Sequence, residues 1–228
     1  MEFFYSIVKS FTAGGAFMFP ILFVVAIATA ITIERYITLS KMGARNRRTW
    51  SQVEPVLTSG DFDKMREITS KDDSAIARVL NMGLALQGAV RRRDDVEKAI
   101  QESMMEIVPQ LEKRTHYLAT LANVATLLGL LGTVSGLIHA FAAVATVNPA
   151  EKANLLSASI SEAMNCTAFG LLTAVPILVI HAFLQSKTTG LSDGLETAAI
   201  RFLNSLAARQ AARAESRLEL VKQSASAA

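Results

Sequence analysis

The sequence predicts an all-α membrane protein, with three transmembrane helices and long helical extensions gathered on one side of the bilayer. Three observations predict it. The 228-residue chain is 51% hydrophobic, with a mean hydropathy of +0.33, which is too apolar for an ordinary soluble domain. Its apolar residues are clustered into three runs without Asp, Glu, Lys or Arg, at Ser10–Ile33, Thr115–Ala150 and Ala163–Ser186. Each run exceeds the roughly 20 residues with which a helix crosses about 30 Å of hydrocarbon.

The elements follow in order. Residues 1–36 form an N-terminal segment and the first transmembrane helix. The chain begins Met1-Glu2-Phe3-Phe4, with no basic n-region and no A-x-A site, so this run is expected to stay as an anchor. Residues 37–115 form a polar helical segment. From Asp94 the apolar positions Val96, Ile100, Met104, Ile107 and Leu111 recur at spacings of three and four, and the stripe runs into the second span. One helix is therefore expected from about Asp94 to Val147, with a kink at Pro109. The second span is 116–147, a loop follows at 148–157, and the third span is 158–186. In the tail, 187–228, Leu191, Leu195, Ala199, Phe202 and Leu206 mark one helical face, weakened by Gly190 and Gly194. Both stripes suit either the core of a small bundle or seams between subunits.

Charge sets the orientation. Between Ile37 and Thr115 lie 14 Lys and Arg, and the tail adds six, whereas the N-terminal segment has only Lys9 and the short loop only Lys152. The positive-inside rule places 37–115 and the tail in the cytoplasm, and the N-terminus and the Asn148–Ser157 loop outside. The net charge of +3 thus reflects basic residues held on one side of a membrane, not a nucleic-acid footprint. Arg45–Arg48 and Arg91–Arg93 read as solvated faces or lipid-headgroup contacts. Cys166 is the one cysteine, which excludes a disulfide framework.

The second span contains "GLLGTVSGLIHAF", residues 129–141. Near the angular position of Thr133 lie Ala122, Thr126, Gly129, Gly136 and Ala140, while Leu127, Leu128, Leu131, Val134 and Ile138 take the other faces. A small face admits a second backbone, and Gly132 and Gly136 form a G-x-x-x-G pair. Thr133 is equally suited to bonding back to a carbonyl one turn earlier. The third span, "SASISEAMNCTAFGLLTAVPILVIHAF", carries Glu162, Asn165 and Thr167. Ser159-x-x-Glu162 fits a capping box at a helix start. Asn165 and Thr167 lie deeper, where unpaired polar groups cost a few kcal/mol each, and are expected to face protein or water. On a helix Glu162 and Thr167 point about 140° apart.

These two stretches together resemble the paired signature of the ExbB/TolQ/MotA proton-channel proteins, on the ExbB and TolQ side of the family. The three-span layout and "IERYI" at the close of the first span extend the likeness over most of the chain. Met164 and Asn165-Cys166 depart from the family pattern. The resemblance places the pore threonines at Thr133 and Thr167 and the acidic residue at Glu162; Asn165, outside the family pattern but polar and deep in the same span, is read onto the ion pathway with them. Gly129, Gly132, Gly136 and Gly170 are the helix-packing positions. It implies a ring, commonly a pentamer, in a bacterial inner membrane, around a single-span ExbD- or TolR-like partner carrying a membrane Asp. A TonB- or TolA-like protein would take up the work. It implies no metal, cofactor or nucleic acid.

No Walker loop, H-E-x-x-H or Cys/His cluster supports an enzyme. His116, His139 and His181 are far apart in sequence and read as interfacial or helix-contact residues. The other readings are a passive membrane scaffold, a flagellar-type or gliding motor subunit, and a self-sufficient ion channel.

Overall fold

The computed structural model describes residues 14–86 and 93–226. Lys9, Arg91 and Arg92 lie outside the described residues. Among those described there are six helices and no strand: α1 Met18–Ser59, α2 Phe62–Ser70, α3 Ala75–Leu86, α4 Arg93–Glu112, α5 Thr115–Val144 and α6 Pro149–Ser226. Three helical stretches are long and apolar enough to cross a membrane, beginning at Met18, Asp94 and Pro149. The chain is an all-α, multi-pass membrane protein.

Local chemistry explains the ends. Gly60 takes φ +72 after α1. The N–H groups of Gly60 and Asp61 then bond back to the carbonyls of Leu57 and Val56 at 3.2 and 3.3 Å, closing the helix with a left-handed cap. Asp61 starts α2 by accepting the N–H of Lys64 at 3.1 Å.

Two expectations are corrected. The segment 148–157 is not a loop, because α6 already begins at Pro149. Proline suits the first helical position, where no N–H is needed, and Glu151 places an acid in the first turn. The connection is therefore confined to residues 145–148. Likewise, the single helix expected from Asp94 to Val147 is two helices, parted at Lys113 and Arg114, with Pro109 inside α4. Pro109 denies a partner to the carbonyl of Met105, a residue that is 78% exposed and so open to other hydrogen-bond partners. The break comes at Arg114, whose φ is 65.

The chain divides into two compact units, Met1–Tyr36 with Arg114–Gln185, and Ile37–Lys113 with Ser186–Ala228. The second is a bundle with a conventional core. Val96, Ile100, Ile107 and Leu111 of α4 join Leu195, Ala199, Phe202 and Leu206 of α6, together with residues of α1, α2 and α3. Both stripes read from the sequence are thus faces of one bundle core. Burying each Leu or Phe contributes about 1.5–3 kcal/mol.

The first unit contains the apolar stretches of α1, α5 and α6. Only 28%, 17% and 22% of their most apolar windows are buried within the chain. Leu127, Ile138, Phe141 and Val179 are all more than 60% exposed. Apolar surface on this scale calls for lipid or other apolar chains around it.

Candidate functional site

The site is built where α5 meets α6. Ala122, Ala125, Gly129, Gly132 and Ala140 on α5 are buried, as are Ala163, Cys166 and Gly170 on α6. The close approach depends on missing side chains. A Cβ on Gly170 would stand 2.8 Å from the Ala125 carbonyl oxygen and 3.0 Å from the Gly129 Cα, both backbone atoms. A Cβ on Gly129 would meet the Thr167 Cα at 3.2 Å. One on Gly136 would meet the Ala163 Cβ at 2.8 Å, and one on Gly132 would overlap the Cys166 Sγ. Small residues on both helices let backbones touch where lipid gives no hydrophobic drive between helices.

The two threonines are half-buried beside this contact. The Thr167 hydroxyl donates across it to the Gly129 carbonyl at 2.8 Å. The Thr133 hydroxyl donates within α5 to the Leu130 carbonyl at 2.6 Å. The accepting carbonyls belong to consecutive residues, so both hydroxyl hydrogens are spent on one short piece of α5. Each oxygen keeps its lone pairs for an incoming donor.

Asn165 is half-buried and Glu162 is exposed. The capping-box reading of Ser159 and Glu162 does not hold, because α6 starts ten residues ahead of Ser159 and both residues lie inside the helix. Glu162 instead lies against Gly15: a Cβ there would collide with its Oε1. Gly15 has φ +72, which an L side chain rarely adopts, so a side chain there would also be strained.

Sequence reasoning read His139 as an interfacial or helix-contact residue high in the second span, where it could tune proton entry, and Ser159 as a helix cap, and gave Ser135 no role of its own. The structure places Ser135, Gly136 and His139 of α5, Ser159 and Glu162 of α6, and residues of the 14–17 segment around one open cavity of ≈ 270 Å³. Two spacings carried the signal. Ser135 and His139 are four residues apart, and Ser159 and Glu162 three, so each pair shares a helix face.

At the start of α5, Arg114 Nη1 donates to both carboxylate oxygens of Glu34 at 2.8 and 2.7 Å. The Nε of Arg35, which is 3% exposed, donates to the Thr115 Oγ1 at 3.3 Å. No group of three or more His, Cys, Asp or Glu among the described residues is placed to hold a metal ion.

Comparison with known proteins extends the picture. A sequence model of the MotA/TolQ/ExbB proton channel family matches residues 71–197. The biopolymer transport protein ExbB-like 3 of Synechocystis sp. is 29% identical over 175 residues, which is 76% of this chain and 82% of that protein. The Tol-Pal system protein TolQ of Haemophilus influenzae is 33% identical over 96 residues, 42% of each chain. The biopolymer transport protein ExbB of Pseudomonas putida is 25% identical over 187 residues, 78% of this chain and 56% of that one. The matches thus span less than two thirds of the last two relatives.

Proposed function

Because the chain belongs to the MotA/TolQ/ExbB proton channel family, we propose that it is the ring-forming subunit of a motor of the ExbB–ExbD or TolQ–TolR type. It is a proton-channel subunit of the ExbB/TolQ kind and not an enzyme. In this reading five copies surround single-span ExbD- or TolR-like helices in a bacterial inner membrane, and each partner helix brings one Asp. Proton flow turns the ring against those helices, and a TonB- or TolA-like protein carries the work outward. The N-terminus and the 145–148 turn face outside and the basic bundle faces the cytoplasm, as the distribution of Lys and Arg supports.

The observation that carries this reading is the state of the two threonines. With both hydrogens given to Gly129 and Leu130, the hydroxyl oxygens wait as acceptors. A protonated carboxyl is the donor that fits. Once that carboxyl ionises, a hydroxyl must rotate and release its own carbonyl to donate. Exchanging one hydrogen bond for another involves about 1 kcal/mol. A proton crossing the membrane releases about 2.3 kcal/mol per 100 mV. The driving energy therefore exceeds the switching cost, so the threonines form a stop that both states of the Asp can use and neither is trapped by. Glu162 and Asn165 lie on α6 toward the turn, on a different face from Thr167, so that one face lines the path and the other meets a neighbouring subunit.

The test is proton flux into cells that carry the chain together with its Asp-bearing partner, followed with a cytoplasmic pH-sensitive fluorescent protein after an external acid pulse. Thr133→Val and Thr167→Val keep the shape and remove the hydroxyl. Each is expected to lower flux about tenfold or more, the equivalent of one lost hydrogen bond of about 1–2 kcal/mol, while Thr→Ser retains it. The internal bonding of both hydroxyls also suits a passive scaffold. That reading predicts unchanged flux and unchanged envelope function in both Val variants, and this result would rule out the motor role of the threonines.

A further inference from the structure

We propose that the cavity shared by α5, α6 and the 14–17 segment is a proton-loading vestibule within each subunit, in which His139 takes up protons from the turn side and passes them to Glu162. The inference rests on the reading of Thr133 and Thr167 as the inner stop of the proton path.

On α5, Ser135 and His139 lie between Thr133 and the 145–148 turn; on α6, Ser159 and Glu162 lie between the turn and Thr167. His139 is six residues beyond Thr133 and Glu162 five before Thr167, so the cavity sits about 7–9 Å toward the turn from both hydroxyls. The cavity therefore lies nearer the turn than the threonines do, on a different face of each helix, so a proton entering it passes Glu162 before it can turn toward the hydroxyls.

At ≈ 270 Å³ the cavity has room for roughly nine waters at about 30 Å³ each. Its polar groups are two hydroxyls, an imidazole and a carboxylate, and every one of them either titrates or both donates and accepts. Among the described residues neither His139 nor Glu162 has a hydrogen bond or ion pair to protein, so both are free to exchange with water. An imidazole has one nitrogen that accepts a proton and another that gives one up, so it can take a proton from water on one side and release it on the other. The other titratable groups around it are few. The lining residues of the 14–17 segment bring none, α5 brings only His139, and α6 brings Glu162 and, one turn deeper against Gly132, the Cys166 thiol.

Space for the carboxylate depends on Gly15, where a side chain would collide with the Glu162 Oε1. In the transfer itself, water outside gives a proton to the imidazole. The imidazolium returns it, directly or through a cavity water, to the Glu162 carboxylate. The neutral carboxylic acid then releases it inward, and both groups regain their starting forms.

The experiment is the flux assay above, run at external pH 5.5 to 8 on the full complex. His139→Gln is expected to lower flux about tenfold and to remove the rise of flux as external pH falls. Glu162→Gln is expected to lower it similarly, and the double variant no further. A second measurement does not depend on how these variants assemble. With Cys166→Ala as background, Ser159→Cys is expected to react with a membrane-impermeant thiol reagent supplied from outside. An unmoved pH profile in His139→Gln overturns the vestibule, as does a Cys at 159 that stays unlabelled. If Thr133→Val and Thr167→Val abolish flux while His139→Gln leaves the profile unmoved, the vestibule alone fails. If the Val variants conduct normally, the threonine path fails first.

Discussion

The two units of this chain solve the packing problem in opposite ways. The bundle is held by volume: Phe202 is 0% exposed and meets the Phe62 ring edge-on at 6.0 Å, surrounded by Met65, Leu80, Ile100 and Leu195. The membrane unit is held by the absence of volume, with Gly129, Gly132, Gly136 and Gly170 lying where two helices touch. The solvent accounts for the difference. In water, burying a large apolar side chain is itself the drive to fold. In hydrocarbon that drive vanishes, because lipid tails cover a leucine as well as another helix does. Close backbone contact and hydrogen bonds such as Thr167 to Gly129 remain.

The comparison predicts mutations of opposite sign. In the bundle, removing atoms does the damage. Phe202→Ala is expected to destabilise that unit by about 3–5 kcal/mol, the range for deleting a buried aromatic, read as a lowered melting temperature in detergent. In the membrane unit, adding atoms does the damage. Gly170→Ala puts a methyl 2.8 Å from the Ala125 carbonyl oxygen. Backbone cannot step aside as a side chain can, so about 1–3 kcal/mol or more is expected. Gly132→Ala meets the Cys166 side chain instead and should lose less, and Cys166→Ala should restore part of it, since the Cβ at 166, 2.9 Å away, remains. If Gly170→Ala were neutral, the close contact would not be what holds α5 to α6.

How much of this was legible in the sequence follows the same division. The three spans were readable because bilayer thickness imposes a length that composition reveals. The stripes Val96 to Leu111 and Leu191 to Leu206 were readable because a helix face repeats locally. The start of α6 was not, since Glu151 and Lys152 look like the end of a span, although a helix can run on past hydrocarbon carrying its charges. Nor could periodicity reveal that Ser135 and His139 stand across a cavity from Ser159 and Glu162. Each pair is local, but their meeting depends on the register of two helices, which is set by where glycines allow contact.

Arg114 is the exception that sharpens the comparison, because charge rather than size holds it. Its φ of 65 puts a side chain into the left-handed region, at roughly 1–2 kcal/mol. Nothing local favours arginine there. The compensation comes from Glu34, eighty positions away in sequence, through two bonds to a half-exposed carboxylate. An ion pair so exposed contributes only about 0.2–1 kcal/mol, less than the strain. Arg114→Gly should therefore relieve more than it loses and raise stability slightly, by up to about 1 kcal/mol. Arg114→Ala keeps the strain, drops the pair and should be the less stable of the two by about 1 kcal/mol. Glu34→Gln should matter in wild type and not in Arg114→Gly. Melting temperatures in detergent of wild type, the three single variants and Glu34→Gln/Arg114→Gly test this. If Gly and Ala prove equally stable, the backbone at 114 is unstrained, and its left-handed turn has a source other than the Glu34 pair.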